Sequence, residues 1–367
     1  MNPRDLAPAH VRAIAPYVPG KPIAETAREL GLDEKDILKL ASNENPLGTS
    51  PMALAALRGA LGDLSLYPDG AGFDLKAAIC ARLPVRPENV LLGNGSNDVL
   101  ELAARAFLTP RDSAVYSRHA FMVYPLVVQA IGAAHVEVPA KDYGHDLPAM
   151  AAAIRPDTRL VFLANPNNPT GTFLPWEQVR AFVENVPPTV LVVLDEAYGE
   201  YLPDERASPS AGWIATHPNL IVSRTLSKAY GLAGLRVGFG LGDPGAIEVM
   251  NRVRQPFNVN HLAMVAATAA LGDKAFIARS RAVNAAGLEQ LALGFGRLGL
   301  SFIPSAGNFV AVRVGDAPRI YASLLRMGVI VRPIANYGMP EHLRVTVGKP
   351  EQNERFLAAL ASALKGA

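Results

Sequence analysis

The sequence holds a single cysteine, Cys80, so neither an internal disulfide nor a metal-thiolate site can be built from it, and a reducing compartment fits best. It has no excess of one charge. Lysine and arginine number 35 against 33 aspartates and glutamates, with no like-charged run, which argues against nucleic acid or a membrane surface as partner. No stretch approaches the ~18 consecutive apolar residues of a membrane span. The opening Met1-Asn2-Pro3-Arg4-Asp5 lacks the basic-then-apolar order of a secretory leader, so a cytoplasmic protein is expected. Seven histidines are scattered without HxxxH or HExxH spacing, which leaves a zinc site without ligands. Internal repeats and low-complexity segments are absent as well.

What is present is a large apolar fraction. Half of the 367 residues are hydrophobic and 19% are charged, enough to bury more than one core. The division expected is an N-terminal arm with part of a small domain over residues 1–50, a large domain over 51–260, and a linking helix with a C-terminal small domain over 261–367. The arm carries Tyr17-Val18-Pro19-Gly20-Lys21-Pro22 and a short helix from Ile23 to Leu30 capped by Gly31. From Pro51 onward, helical patterns (Met52–Leu61, Phe73–Leu83, Asp98–Phe107, Val123–Ile131) alternate with short β-like runs (Val90–Leu92, Ala114–Tyr116, His135–Val138), the mark of an α/β fold. Stronger apolar strands follow at Leu160–Ala164, Val190–Leu194, Leu220–Val222 and Val237–Gly240, as in a sheet buried on both faces. A long helical stretch over His261–Leu298 precedes short strands at Ser301–Ile303, Phe309–Val314, Val329–Val331 and His342–Val347 around a helix at Pro318–Met327. With a last helix at Glu351–Leu364 this predicts a smaller α+β unit.

The chemistry gathers where strands end. The run Leu191-Val192-Val193-Leu194 leads straight into Asp195-Glu196-Ala197-Tyr198, which alone reads as well as a surface acid after a core strand. Its partner is Ser223-Arg224-Thr225-Leu226-Ser227-Lys228, followed by glycines and Arg236. Pyridoxal 5′-phosphate chemistry asks for this set of residue types. A lysine amine of depressed pKa must attack the cofactor carbonyl, which suits Lys228. A buried carboxylate must hold a proton on the ring nitrogen, which suits Asp195. Tyr198 offers a donor to the ring oxygen, and Thr225, Ser227 and Arg236 offer hydroxyls and a guanidinium to the phosphate. Leu92-Gly93-Asn94-Gly95-Ser96-Asn97-Asp98 supplies a second phosphate cradle or a plain strand-to-helix connection. The turn Asn165-Pro166-Asn167-Asn168-Pro169-Thr170-Gly171 either offers an amide to the same ring oxygen or is a loop only.

In order and spacing these segments, with Ser42-Asn43-Glu44-Asn45-Pro46, Tyr67-Pro68-Asp69 and Leu343-Arg344-Val345-Thr346-Val347-Gly348, resemble the fold-type I pyridoxal-phosphate aminotransferases, and most closely their histidinol-phosphate aminotransferase branch. The match runs over nearly the whole chain. It implies a large domain with a mostly parallel seven-stranded sheet between helices, plus a smaller α+β domain. It implies Lys228 as Schiff-base lysine and proton shuttle, Asp195 against the pyridinium, Asn168 and Tyr198 on the ring oxygen, and phosphate contacts from the Ser96 and Asn97 backbone, Thr225, Ser227 and Arg236. Phe121 falls where the family stacks an aromatic on the ring, or is a core phenylalanine. Tyr67 falls where the family reaches the partner subunit's cofactor phosphate, which implies a homodimer with shared active sites. Arg344 matches the arginine that grips the donor's α-carboxylate, and Arg332 and Tyr17 resemble groups that bind a substrate phosphate. The activity implied is amino transfer between L-histidinol phosphate and 2-oxoglutarate in histidine biosynthesis. Aromatic amino-acid transamination and decarboxylation of a phosphorylated amino acid are the alternatives. A pyridoxal-phosphate-binding transcription regulator is disfavoured, because the roughly forty residues before the first motif leave no room for a helix-turn-helix domain.

Overall fold

The computed structural model describes residues 2–17 and 20–366; Val18 and Pro19 of the arm lie outside the described residues, as do Met1 and Ala367. A two-residue strand β1 (Leu38–Lys39) leads the sheet elements. It is followed by β2 (Val90–Gly93), β3 (Ser113–Ser117), β4 (Ala134–Val138), β5 (Thr158–Ala164), β6 (Leu191–Asp195), β7 (Leu220–Thr225) and β8 (Gly238–Leu241). These last seven form one sheet in the order β2-β8-β7-β6-β5-β3-β4. All neighbours run parallel except β8, which lies antiparallel to both β2 and β7. The apolar runs explain the placement. Every residue of β6 is buried, with Val192 and Leu194 in a core on one face and Val193 in a core on the other. The sheet is thus covered on both faces, as continuous apolar strands require.

The second sheet holds β9 (Phe302–Ile303), β10 (Phe309–Arg313), β12 (Arg332–Pro333) and β13 (His342–Thr346) in the order β12-β13-β10-β9. The remaining strand, β11 (Val329–Ile330), pairs in parallel with β1, so the N-terminal segment is tied to the C-terminal part of the chain. The single strand expected over Val329–Val331 is therefore split. Val329 and Ile330 pair with β1, Val331 belongs to neither strand, and a separate strand begins at Arg332 and pairs with β13.

The helical stretch expected over His261–Leu298 is also two elements, His261–Gly272 and Lys274–Arg297, bent by 79° at Asp273. Asp273 accepts from the Phe276 amide as an N-cap at 3.1 Å and from the Ser50 hydroxyl at 2.7 Å, so the break is held from both sides. The helix after β2 starts at Ser96, two residues before the expected Asp98, with Gly95 in the cap position at φ 84° and no side-chain cap. The helices Leu147–Ala152, Trp176–Asn185 and Pro244–Val253 are not among the expected elements. Among the described residues no single helix is long and apolar enough to cross a membrane.

Candidate active site

Parallel strands put their C-terminal ends on one edge of a sheet, and here the register aligns them. Ala164 lies opposite Asp195, and Asp195 opposite Ser223, so the turn after β5, the acid ending β6 and the loop after β7 open into one space. That space is a cavity of about 200 Å³. Lys228, Asp195, Tyr198, Asn168, Ser96, Asn97, Phe121, Thr225, Ser227, Arg236, Arg344, Arg332 and Tyr17 all line it.

Lys228 enters from the loop after β7, and its Nζ donates to the Ser42 carbonyl at 3.0 Å. Burial comes first in holding its pKa down to about 8; Arg344 and Arg236 push the same way, and Glu44 resists. Asp195 is the reverse case. Burial raises its carboxyl to about 6, partly offset by the hydroxyl of Tyr124, which donates to Oδ2 at 3.0 Å. Its other oxygen, Oδ1, is buried without a hydrogen-bond partner. Tyr198 accepts from Asn43 Nδ2 at 2.9 Å, which leaves its own proton to donate, and burial raises its pKa to about 12. Arg344 is buried over the Phe309 ring, 5.4 Å from the centroid; it donates to Asn168 Oδ1 at 2.6 Å and to the Ala41 carbonyl at 2.8 Å. Its Nε is left without a partner. At the mouth, the Arg332 guanidinium lies 5.4 Å from the Tyr17 ring centroid.

The floor on the other side is made of bare backbone. A Cβ on Gly95 would collide with the Arg236 guanidinium, and one on Gly238 would stand 2.6 Å from the Ser96 amide nitrogen. The first turn of the helix Ser96–Phe107, which no side chain caps, therefore presents the Ser96 and Asn97 amides beside Arg236, whose Nη1 donates to the Ser227 hydroxyl at 3.3 Å. Oriented amides, hydroxyls and a guanidinium suit a dianion. An orphaned buried carboxylate oxygen suits a protonated ring nitrogen, and a lysine of lowered pKa suits a carbonyl. These residues fit pyridoxal phosphate.

A model of the aminotransferase class I and II family matches residues 35–360. The chain belongs to this aminotransferase family. It is 62% identical over 98% of its length to a histidinol-phosphate aminotransferase of Thiobacillus denitrificans, of which it covers 94%. It is 60% identical, over its full length, to one of Nitrosospira multiformis, of which it covers 93%. Among solved structures it is similar to histidinol-phosphate aminotransferase from Sinorhizobium meliloti in complex with pyridoxal 5′-phosphate, with a TM-score of 0.90 and 32% identity over 98% of this chain and 97% of that one. Both the aminotransferase reading and the fold expected from the sequence are thereby shown.

In this aminotransferase one expected site residue stands apart. Tyr67 is 83% exposed, stacked on Phe257 at 4.7 Å, and does not line the cavity of its own chain. Two contributors are not among the site residues expected from the sequence. Asn43, buried beside Tyr198, is visible there only as part of the Ser42–Pro46 motif. Tyr124 is visible only as a neighbour of Phe121, which precedes the helix Val123–Ile131 that carries Tyr124 in its first turn. Neither signal alone distinguishes a site residue from a core one.

Proposed function

We propose that this aminotransferase binds pyridoxal 5′-phosphate and moves the amino group between L-histidinol phosphate and 2-oxoglutarate, giving imidazole-acetol phosphate and L-glutamate. The observation that carries the reading is the meeting, in one cavity, of Lys228, the unpartnered Oδ1 of Asp195 and two arginines, Arg344 and Arg332. Full-length relatives carrying the histidinol-phosphate aminotransferase name support the choice of substrate.

When bound, the cofactor supplies a carbonyl that takes up the amino group and a protonated ring that draws in the electrons of a broken C–H bond. The remaining work falls to the chain. Asp195 Oδ1 faces the ring nitrogen, and Tyr198 and Asn168 hold the ring oxygen. The Ser96 and Asn97 amides, Thr225, Ser227 and Arg236 hold the phosphate. Phe121 covers the ring. Lys228 Nζ takes the substrate's α-proton and returns it, acting as base and then as acid, for which a pKa near 8 is suited. Arg344 grips the α-carboxylate of glutamate, and Arg332 with Tyr17 receives the phosphate of histidinol phosphate, which has no carboxylate.

The same reading extends to assembly. The protein works in the cytoplasm as a homodimer, with the exposed Tyr67 reaching the partner subunit's cofactor phosphate. Residues 51–260 act as the large domain, and 1–50 with 261–367 as the arm and small domain. The test is the absorbance of the cofactor-loaded protein during addition of L-histidinol phosphate and, on a fresh sample, L-phenylalanine. Conversion at low histidinol phosphate is expected; preference for phenylalanine would move the enzyme to aromatic transamination.

A further inference from the structure

Behind Asp195 lies a group that the chemistry above has not used. Tyr124 is fully buried. Its ring is stacked on Phe162 at 4.8 Å, with 7° between the planes, and met edge-on by Phe121 at 6.0 Å. A ring held on its face and its edge cannot swing, so the direction of its hydroxyl is set. That hydroxyl donates to Asp195 Oδ2 at 3.0 Å, while Oδ1 stays buried without a partner. The two oxygens of one carboxylate are therefore unequal. One is spent inside the protein, and the other is left for the cavity that Asp195 lines.

The surroundings set a second condition. Burial makes this carboxyl a stronger base, Glu196 pushes it the same way, and Tyr124, the Ala197 amide and Lys228 pull it back. A buried carboxylate of raised basicity competes with a pyridine nitrogen for the proton between them. A phenol donating to the far oxygen weakens that competitor.

We propose that Tyr124 is a positioning residue, which fixes the rotation of Asp195 so that Oδ1 alone meets the ring nitrogen of the cofactor, and which keeps the shared proton on that nitrogen. The proposal rests on the reading of Asp195 given above, and its test separates the two. The holoenzyme is loaded with pyridoxal phosphate carrying nitrogen-15 in the ring, and the chemical shift of that nucleus is measured in the wild type, Tyr124→Phe, Asp195→Asn and a protein with 3-fluorotyrosine at position 124. Tyr124→Phe moves the signal toward the unprotonated nitrogen. The more acidic fluorinated phenol moves it the other way, a readout that survives if Tyr124→Phe folds poorly. Turnover of Tyr124→Phe falls about tenfold, the order expected for one lost hydrogen bond to a charged acceptor. That gap closes when wild type and variant both carry the 1-deaza cofactor, which has no ring nitrogen to protonate. A signal unmoved by both position-124 changes, while Asp195→Asn moves it, overturns the role of Tyr124; so does an equal loss of turnover with the deaza cofactor. A signal that Asp195→Asn leaves in place overturns the reading of Asp195 itself, and the proposal with it.

Discussion

Gly238 is not itself a proposed cofactor contact, yet one methyl group added there should damage cofactor binding by pressing on a backbone amide that is. Its strand is hemmed in by backbone. An added Cβ would stand 2.6 Å from the Ser96 nitrogen and 2.8 Å from both the Arg224 oxygen and the Gly95 carbonyl carbon. None of these is the end of a flexible side chain, so relief requires β8 and the turn at 95–96 to move apart by several tenths of an ångström. Overpacking of this kind costs about 1–3 kcal/mol of stability. The Ser96 amide that must move is one of those proposed to hold the cofactor phosphate. Lengthening a hydrogen bond to a charged acceptor should weaken binding by about ten- to a hundredfold. The assay is absorbance titration of apoenzyme with pyridoxal phosphate for Gly238→Ala, alongside thermal unfolding. Gly234→Ala, on the adjoining loop with no atom within 4 Å of its added Cβ, serves as the neutral control. A Gly238→Ala protein with wild-type Tm and wild-type affinity would refute the account of the cradle.

Because burial holds Lys228 near 8, capture of pyridoxal phosphate by apoenzyme should rise through about pH 8, and Glu44→Gln should lower that midpoint further; a midpoint in the ordinary lysine range, about 10.4, refutes it. The unfolded chain holds this proton more tightly than the folded one, so Lys228 adds stability as pH rises from about 8 toward about 10.4, which denaturant titration across that window measures against Lys228→Met. Glu196 is fully buried and paired with Arg224 at 2.7 Å, and it also accepts from the Ser208 and Ser210 hydroxyls. Arg224→Met should therefore cost about 3–5 kcal/mol in denaturant titration, and adding Glu196→Gln should recover much of it. Mixing Lys228→Ala with Tyr67→Ala should give mixed dimers with one intact site and activity above either protein alone; no gain would show that Tyr67 does not serve its partner.

The parts of the site that sit at strand ends are legible in the sequence. Apolar runs such as Leu191–Leu194 fix a buried strand, and the polar residues directly after it have one edge of the sheet on which to emerge. The candidates Lys228, Asp195 and Asn168 are read this way, with the family motifs adding spacing and Arg236. Breaks inside elements are not legible. Asp273 interrupts a continuous helical pattern because Ser50, far away along the chain, holds its side chain, and no local periodicity records that. Val331 ends a run of apolar residues that suits either sheet, and only the tertiary partners β1 and β13 decide where the strand divides. Tyr124 is hidden for a related reason. A tyrosine on an apolar helix face has the same pattern whether its hydroxyl meets water, a backbone carbonyl or, as here, the acid proposed to face the cofactor.

The segment from Ala41 to Asn45 joins distant parts of the chain at the heart of the cavity. The Asn43 amide donates to Thr346, the Ala41 carbonyl accepts from Arg344, and Asn45 donates to the Ala229 carbonyl; the first two contacts each span 303 residues. Such contacts are the last that a growing chain can make. Asn45 can reach Ala229 before then, but the contacts of Ala41 and Asn43 with Arg344 and Thr346 must wait until those residues have been made. The proposed strand-end contacts can form co-translationally, whereas Thr346 cannot help hold Asn43 beside Tyr198 until residue 346 has been made. A chain that stops short of Arg344 is thus expected to carry the strand-end groups without the contacts that hold Ala41 and Asn43 in the cavity, and to bind cofactor more weakly than the full chain.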